Sequence, residues 1–90
     1  MFKPLLPLPE LLAGLEEECS ELAQAALKLR RFYTQTNPTP IDEETALDGF
    51  MEEIADVELY LDQISYSKTY VEFTKKHKLE RWKARLGMEE

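Results

Sequence analysis

Several residue types are scarce in this 90-residue chain, and each scarcity excludes something. The single cysteine, Cys19, excludes an intramolecular disulfide. The single histidine, His77, is far from Cys19 in sequence, so a catalytic Cys–His pair is not indicated and Cys19 is expected to be a small buried hydrophobe. No run approaches the roughly 18 apolar residues of a membrane span. The chain is too short for more than one domain, and we assign residues 1–90 to it.

Basic residues are also few, with 11 Lys and Arg against 18 Asp and Glu, for a net charge of −7. This balance argues against binding a nucleic acid polymer through its phosphates, which requires a basic surface. Binding of a single nucleotide is still compatible with this net charge, because bound Mg²⁺ would make the binding site locally positive. The N-terminal ten residues do not form a signal peptide, since prolines interrupt the apolar run and Glu10 ends it. We therefore expect a cytoplasmic protein with no membrane attachment.

Apolar periodicity predicts an all-α fold: an antiparallel helical hairpin followed by a third helix. The expected helices cover about residues 9–33, 39–64 and 69–86, after an extended arm at 1–9. Thr39 and Asp42 are alternative N-caps for the second helix. Gly49 leaves open a kink in that helix. The break at 65–67 is weak, so one continuous helix through it also stays open.

Two pairs of acidic residues carry most of the chemical information: Glu18 with Glu21, and Glu53 with Asp56. Each pair is spaced i, i+3, which puts both carboxylates on one face of a helix. Each pair also borders apolar positions of its helix. Four converging carboxylates repel one another unless a cation joins them, and hard cations prefer oxygen ligands. The spacing therefore predicts a Mg²⁺ site, with Mn²⁺ as a substitute.

A hairpin would bring the two acidic pairs to the same height. Each pair is about a dozen residues from the connecting loop, which is roughly 20 Å along a helix. If the third helix folds back from residue 67, Lys78 and Arg81 reach the same height. We therefore expect carboxylates to hold Mg²⁺, and the two basic side chains to contact the phosphates of a metal-bound ligand.

Other interpretations of the acids stay open. One Glu-x-x-Glu on a helix is usually a solvated face, and Glu–Lys contacts between helices are common surface ion pairs. A di-iron bundle needs Glu-x-x-His motifs, which neither pair contains. The main alternative to an enzyme is a non-catalytic helical interaction module whose acidic cluster binds ions.

The motifs resemble those of the MazG-like all-α nucleoside triphosphate pyrophosphohydrolases, in particular small single-domain members from phages and prophages. The family signature is Glu-Glu-x-x-Glu followed by Glu-x-x-Asp. This chain has Glu-Glu-Cys-Ser-Glu at 17–21 and Glu-Ile-Ala-Asp at 53–56. Lys-Leu-Glu-Arg at 78–81 is similar to the family's phosphate-facing stretch in the third helix. The resemblance spans roughly residues 10–86.

The resemblance implies hydrolysis of a (d)NTP between the α and β phosphates, giving (d)NMP and pyrophosphate. The role would be removal of unwanted or excess nucleotides. It implies a homodimer or homotetramer with a four-helix core. Glu17 or Glu18 would help to deprotonate the attacking water. The implied Mg²⁺ ligands are Glu18, Glu21, Glu53 and Asp56, and the implied phosphate contacts are Lys78 and Arg81.

The chain departs from the family pattern on the third helix. Lys76 and His77 stand where an asparagine is often found, and Trp82 replaces a second basic residue. The linker between the motifs is also longer. These departures bear on phosphate geometry and substrate choice more than on the metal site. No motif reads a base or a sugar, so the base-binding residues, the number of metals and the choice between dimer and tetramer are not predicted.

Overall fold

The structure is a computed structural model that describes residues 3–88, and these form three α-helices and no strand. The helices are α1, Leu8–Thr34, α2, Glu43–Gln63, and α3, Lys68–Leu86. The all-α prediction is confirmed, and each helix falls within a few residues of its predicted range. Residues 1 and 2 of the predicted arm lie outside the described residues.

The helix boundaries have local causes. The Asp42 carboxylate accepts a hydrogen bond from the Thr45 N–H at 2.7 Å, so Asp42 is the N-cap of α2. α2 continues through Gly49 as one helix. The Ser67 hydroxyl accepts from the Tyr70 N–H at 3.1 Å and caps α3. α3 therefore begins one residue before its predicted start at 69. α2 ends at Gln63, so the alternative of one continuous helix through 65–67 is wrong.

α1 and α2 pack together along their length as a hairpin. Leu11 on α1 and Ala46 on α2 are the buried apolar residues of the described chain, at 1% and 5% exposure. Gly14 allows the two helices to approach closely, because a Cβ at this position would overlap the ring of Tyr60 on α2. A glycine in a helix interior costs roughly 1 kcal/mol relative to alanine, and here the close packing explains it.

The N-terminal arm is fastened to the far end of the hairpin. The Leu5 backbone N–H donates to Oε1 of Gln63 at 2.9 Å. The Gln63 Nε2 donates in turn to the Leu59 carbonyl at 3.1 Å. Gln63 is buried, at 6% exposure, and both ends of its amide are satisfied by these bonds. The arm therefore closes the end of the hairpin next to the start of α3.

α3 makes no contact with α1 or α2 within residues 3–88, so the predicted fold-back of this helix is wrong for the single chain. The described chain has a radius of gyration of 16.7 Å, whereas a compact domain of this length has about 12 Å. A physical reason is that α3 has no single apolar stripe. Val71 and Trp82 lie on one side of it, while Tyr70 and Phe73 lie on another.

Candidate functional site

Three of the predicted metal ligands converge between α1 and α2. Glu18, Glu53 and Asp56 each offer one carboxylate oxygen, and these oxygens all lie within 4.8 Å of one another. All three residues are half-buried. Glu18 follows the buried Leu11 by seven residues, and Glu53 follows the buried Ala46 by seven. Two helical turns therefore carry each glutamate onto the packing face of its own helix.

Two oxygens of this cluster are buried without a hydrogen-bond partner: Glu18 Oε2 and Glu53 Oε2. The ion pair that residues 3–88 do form joins Lys75 to Glu72 on α3, so it does not neutralise the cluster. Buried polar atoms are nearly always paired, and leaving one unpaired costs free energy. These unpartnered oxygens fit a bound divalent cation, because a cation would satisfy them and remove the repulsion between the carboxylates.

The pKa of Glu18 is strongly shifted by its surroundings. Its pKa is raised from 4.5 to about 7, first because burial disfavours the charged form. The nearby carboxylates of Glu21, Asp56 and Glu53 raise the pKa further by repulsion. A half-buried carboxyl group whose pKa lies near 7, beside other carboxylates, is typical of functional sites.

Glu21 and Glu17 are more exposed to solvent than the three convergent residues. Glu21 is exposed and does not belong to the convergent group of three, yet it is close enough to raise the pKa of Glu18. Glu21 also lines a groove of about 340 Å³ between α1 and α2, together with Lys28, Thr45 and Glu53. Glu17 is exposed. Of the four residues predicted from sequence as metal ligands, three therefore have convergent carboxylates and the fourth, Glu21, lines the groove.

The predicted phosphate-binding residues are not beside the carboxylates in the single chain. Lys78 and Arg81 lie on α3, which does not contact the hairpin. His77 packs edge-on against Phe73 with ring centroids 4.4 Å apart, also on α3. Trp82 is 57% exposed and therefore does not belong to a core here.

Other residues differ from expectation or were missed. Cys19 is exposed, so its prediction as a buried hydrophobe is wrong. Sequence reasoning did not identify Gly14, which admits Tyr60 one turn from Glu18, although a glycine inside a helix was a usable signal. It also missed Lys28, the cation that lines the groove with Glu21 and Glu53.

The comparisons with known proteins add no relative: the chain matches no protein-family model, no curated protein and no solved structure. No helix of the described residues has the length and the apolar content that crossing a membrane requires. The carboxylates and their motifs are therefore the features that indicate a function.

Proposed function

We propose that this protein is a Mg²⁺-dependent nucleotide pyrophosphohydrolase that converts a (d)NTP to (d)NMP and pyrophosphate. The convergence of Glu18, Glu53 and Asp56, with two unpartnered buried oxygens, carries the proposal. These residues belong to the two motifs that resemble the MazG-like signature. Hydrolysis of this kind would act on the nucleotide pool of the cytoplasm, the compartment expected from the sequence.

The roles of the side chains follow from their surroundings. Glu18, Glu53 and Asp56 would hold the metal, and Glu21 would reach it from the groove edge. A bound Mg²⁺ would supply charge stabilisation of the phosphate oxygens and a lower pKa for a bound water. Of the two candidate bases, Glu18 is supported better than Glu17, because Glu18 faces the cluster while Glu17 is exposed. In the reaction, the water oxygen would bond to the α-phosphorus while Glu18 accepts the water proton. The bond from the α-phosphorus to the α–β bridging oxygen would break, and pyrophosphate would leave with that oxygen.

The proposal includes a homo-oligomer with a four-helix core. The chain exposes 7472 Å², whereas a compact monomer of 10.5 kDa exposes about 5,400 Å². The hairpin leaves Leu12, Leu47 and Met51 between 37% and 50% exposed. This excess of about 2,000 Å² for one chain is larger than the roughly 800 Å² that each partner buries in a standard protein–protein interface. Light scattering at micromolar concentration should give a dimer or tetramer, and a mass of 10.5 kDa would contradict this part.

The catalytic proposal is tested by product analysis. The wild-type chain is incubated with each common ribo- and deoxyribonucleoside triphosphate in Mg²⁺, in Mn²⁺ or in EDTA, and the products are separated by ion exchange. We expect monophosphate and pyrophosphate in equal amounts when Mg²⁺ or Mn²⁺ is present, and no products in EDTA. Metal binding without turnover of any nucleotide would instead favour the interaction module with an ion-binding acidic cluster. Release of diphosphate and orthophosphate would show a different cleavage position.

A further inference from the structure

Charge is divided between the two parts of this molecule. The hairpin, residues 8–63, has three Lys and Arg against fourteen Asp and Glu, for a net charge of −11. α3, residues 68–86, has seven Lys and Arg against two Glu, for a net charge of +5. Opposite charges of this size favour association of the two parts. Nevertheless, α3 does not contact its own hairpin.

α3 also presents apolar surface that is uncovered. Val71, Lys78 and Trp82 are spaced by seven and four residues, so they share one face of the helix. Val71 is 38% exposed and Trp82 is 57% exposed. Any surface that covers Val71 and Trp82 therefore also receives the Lys78 ammonium group. Arg81, next to Trp82, lies on the flank of the same face.

The position of α3 keeps the whole helix apart from the hairpin of its own chain. The described chain measures 41 × 40 × 18 Å. A 27-residue helix such as α1 is about 40 Å long, so the hairpin accounts for one long dimension and α3 for the other. The segment 64–67 carries this change of direction. An α3 that projects in this way reaches a neighbouring molecule more readily than its own hairpin.

We propose that α3 of one copy packs on the hairpin of a second copy, and that it supplies Lys78 and Arg81 to the second copy's carboxylate cluster. The charges of +5 and −11 identify the occupant, because each copy has both complementary surfaces. A reciprocal exchange gives a closed dimer with two equivalent sites. The role of Lys78 and Arg81 toward phosphates rests on the proposed function, whereas the exchange itself does not.

Trp82 is the only tryptophan in the chain, so its fluorescence reports on α3 directly. Emission is recorded from nanomolar to high micromolar protein, without nucleotide or metal, and the mass is measured in parallel. We expect a blue shift of the emission that accompanies the change from monomer to dimer. Emission of an exposed tryptophan in the dimer overturns the exchange. A blue shift that is already present in the monomer also overturns it, because it means that α3 folds back on its own hairpin. Emission that stays exposed until anionic vesicles are added overturns it in favour of a membrane surface.

A pair of charge reversals tests which face of α3 docks. Lys78→Glu should raise the dimer dissociation constant by at least about tenfold, because it puts a carboxylate against carboxylates. Lys76→Glu makes the same change in charge on the opposite side of the helix and should raise the constant much less. Equal effects of the two substitutions would mean that net charge, and not this face, drives association.

A mixing experiment tests whether Lys78 acts on the second copy. Glu53→Ala and Lys78→Ala proteins, each impaired alone, are mixed and allowed to exchange chains. A mixed dimer contains one site with an intact hairpin and an intact α3, so turnover should recover. No recovery, with an active wild type, overturns the supply of Lys78 between copies. If the wild type is inactive but Trp82 is buried on dimerisation, the exchange stands and the proposed function fails.

Discussion

The hairpin and α3 are both regular helical segments, yet one is packed and the other is not. α1 and α2 pack on each other, bury Leu11 and Ala46, and bring three carboxylates together. α3 has no buried residue and does not contact α1 or α2. The difference lies in how the apolar residues are arranged. The hairpin helices concentrate them on one face, whereas α3 divides them between two sides.

In this molecule the residues that form a helix are different from the residues that pack it. The Ser67 N-cap and the Gly87 C-cap, which has φ = 70°, define α3 as clearly as Asp42 defines the start of α2. Capping thus sets where α3 begins and ends without giving it a partner. Most helical stability in proteins comes from tertiary packing. α3 should therefore be the least stable helix of a monomer, and its stability should depend on association.

The largest expected effect is on the hairpin, through Glu53→Ala. This substitution removes one of the three convergent carboxylates and should lower turnover by about 100-fold or more, or roughly 2.7 kcal/mol of transition-state stabilisation. Helix content by circular dichroism should not change. The metal-free protein should melt at a higher temperature, because repulsion in the cluster is relieved.

Glu52→Ala is the matched control, since Glu52 is an exposed neighbour outside the cluster. It makes the same change in charge one residue away. Turnover within about twofold of the wild type is expected for Glu52→Ala, as for most surface substitutions. Full activity of Glu53→Ala would contradict the assignment of the site.

The next largest effect is on the free energy of unfolding, and it should differ in sign between alanine substitutions at the two glycines of the hairpin. Gly14→Ala introduces a Cβ where the Tyr60 ring lies, so it should lower the free energy of unfolding by about 1–3 kcal/mol. Gly49→Ala meets nothing within 4 Å and should raise this free energy by about 0.5–1 kcal/mol, as alanine does in a helix interior. Urea unfolding followed by circular dichroism measures both. Equal effects of the two substitutions would mean that α1 and α2 are not in close contact at Tyr60.

The third effect is a pH dependence of stability in the metal-free hairpin. The pKa of Glu18 is raised in the folded state from 4.5 to about 7, so the folded protein binds this proton more tightly than the unfolded chain does. The resulting stabilisation is fully present below pH 4.5 and is lost as pH rises through about 7. Melting temperature in EDTA should therefore fall from pH 5 to pH 8.

Glu18→Gln is the control for this pH dependence, because its amide does not titrate. The fall in melting temperature should become shallower in this variant. Asp42 does not interfere, since its pKa is lowered from 3.8 by the hydrogen bond from Thr45, and its titration therefore lies at lower pH. A melting temperature that rises between pH 5 and pH 8 would contradict the clustering of the carboxylates.

The smallest effect compares the two N-caps. Asp42→Ala removes the cap of a packed helix and should lower the global free energy of unfolding by about 1 kcal/mol. Ser67→Ala removes a cap of similar strength from α3, and in the monomer it should only fray this helix. Hydrogen exchange of the amides near Tyr70 should accelerate while those of α1 are unchanged. Loss of protection in α1 would show that α3 is coupled to the hairpin.

The sequence was sufficient for the parts that depend on local patterns. Periodicity and turn residues predicted the three helices, and i, i+3 spacing with equal distances from the loop predicted that Glu18 meets Glu53 and Asp56. The position of α3 was not predictable in this way, because the direction of a helix depends on what packs against it. Similarly, the contact between Gly14 and Tyr60 depends on the relative rotation of two helices, which periodicity does not fix.

The hydrogen bond from the Leu5 backbone to Gln63 has a consequence for how the chain opens. If the arm detaches, the buried Gln63 oxygen loses its donor, so release of the arm carries the cost of an unsatisfied amide. The arm and the last turn of α2 should therefore open as one cooperative unit rather than fray separately. This hydrogen bond joins residues 58 positions apart, and it lies next to the segment 64–67 that precedes α3. A protease that cleaved near Leu5 would therefore destabilise this segment without cutting it.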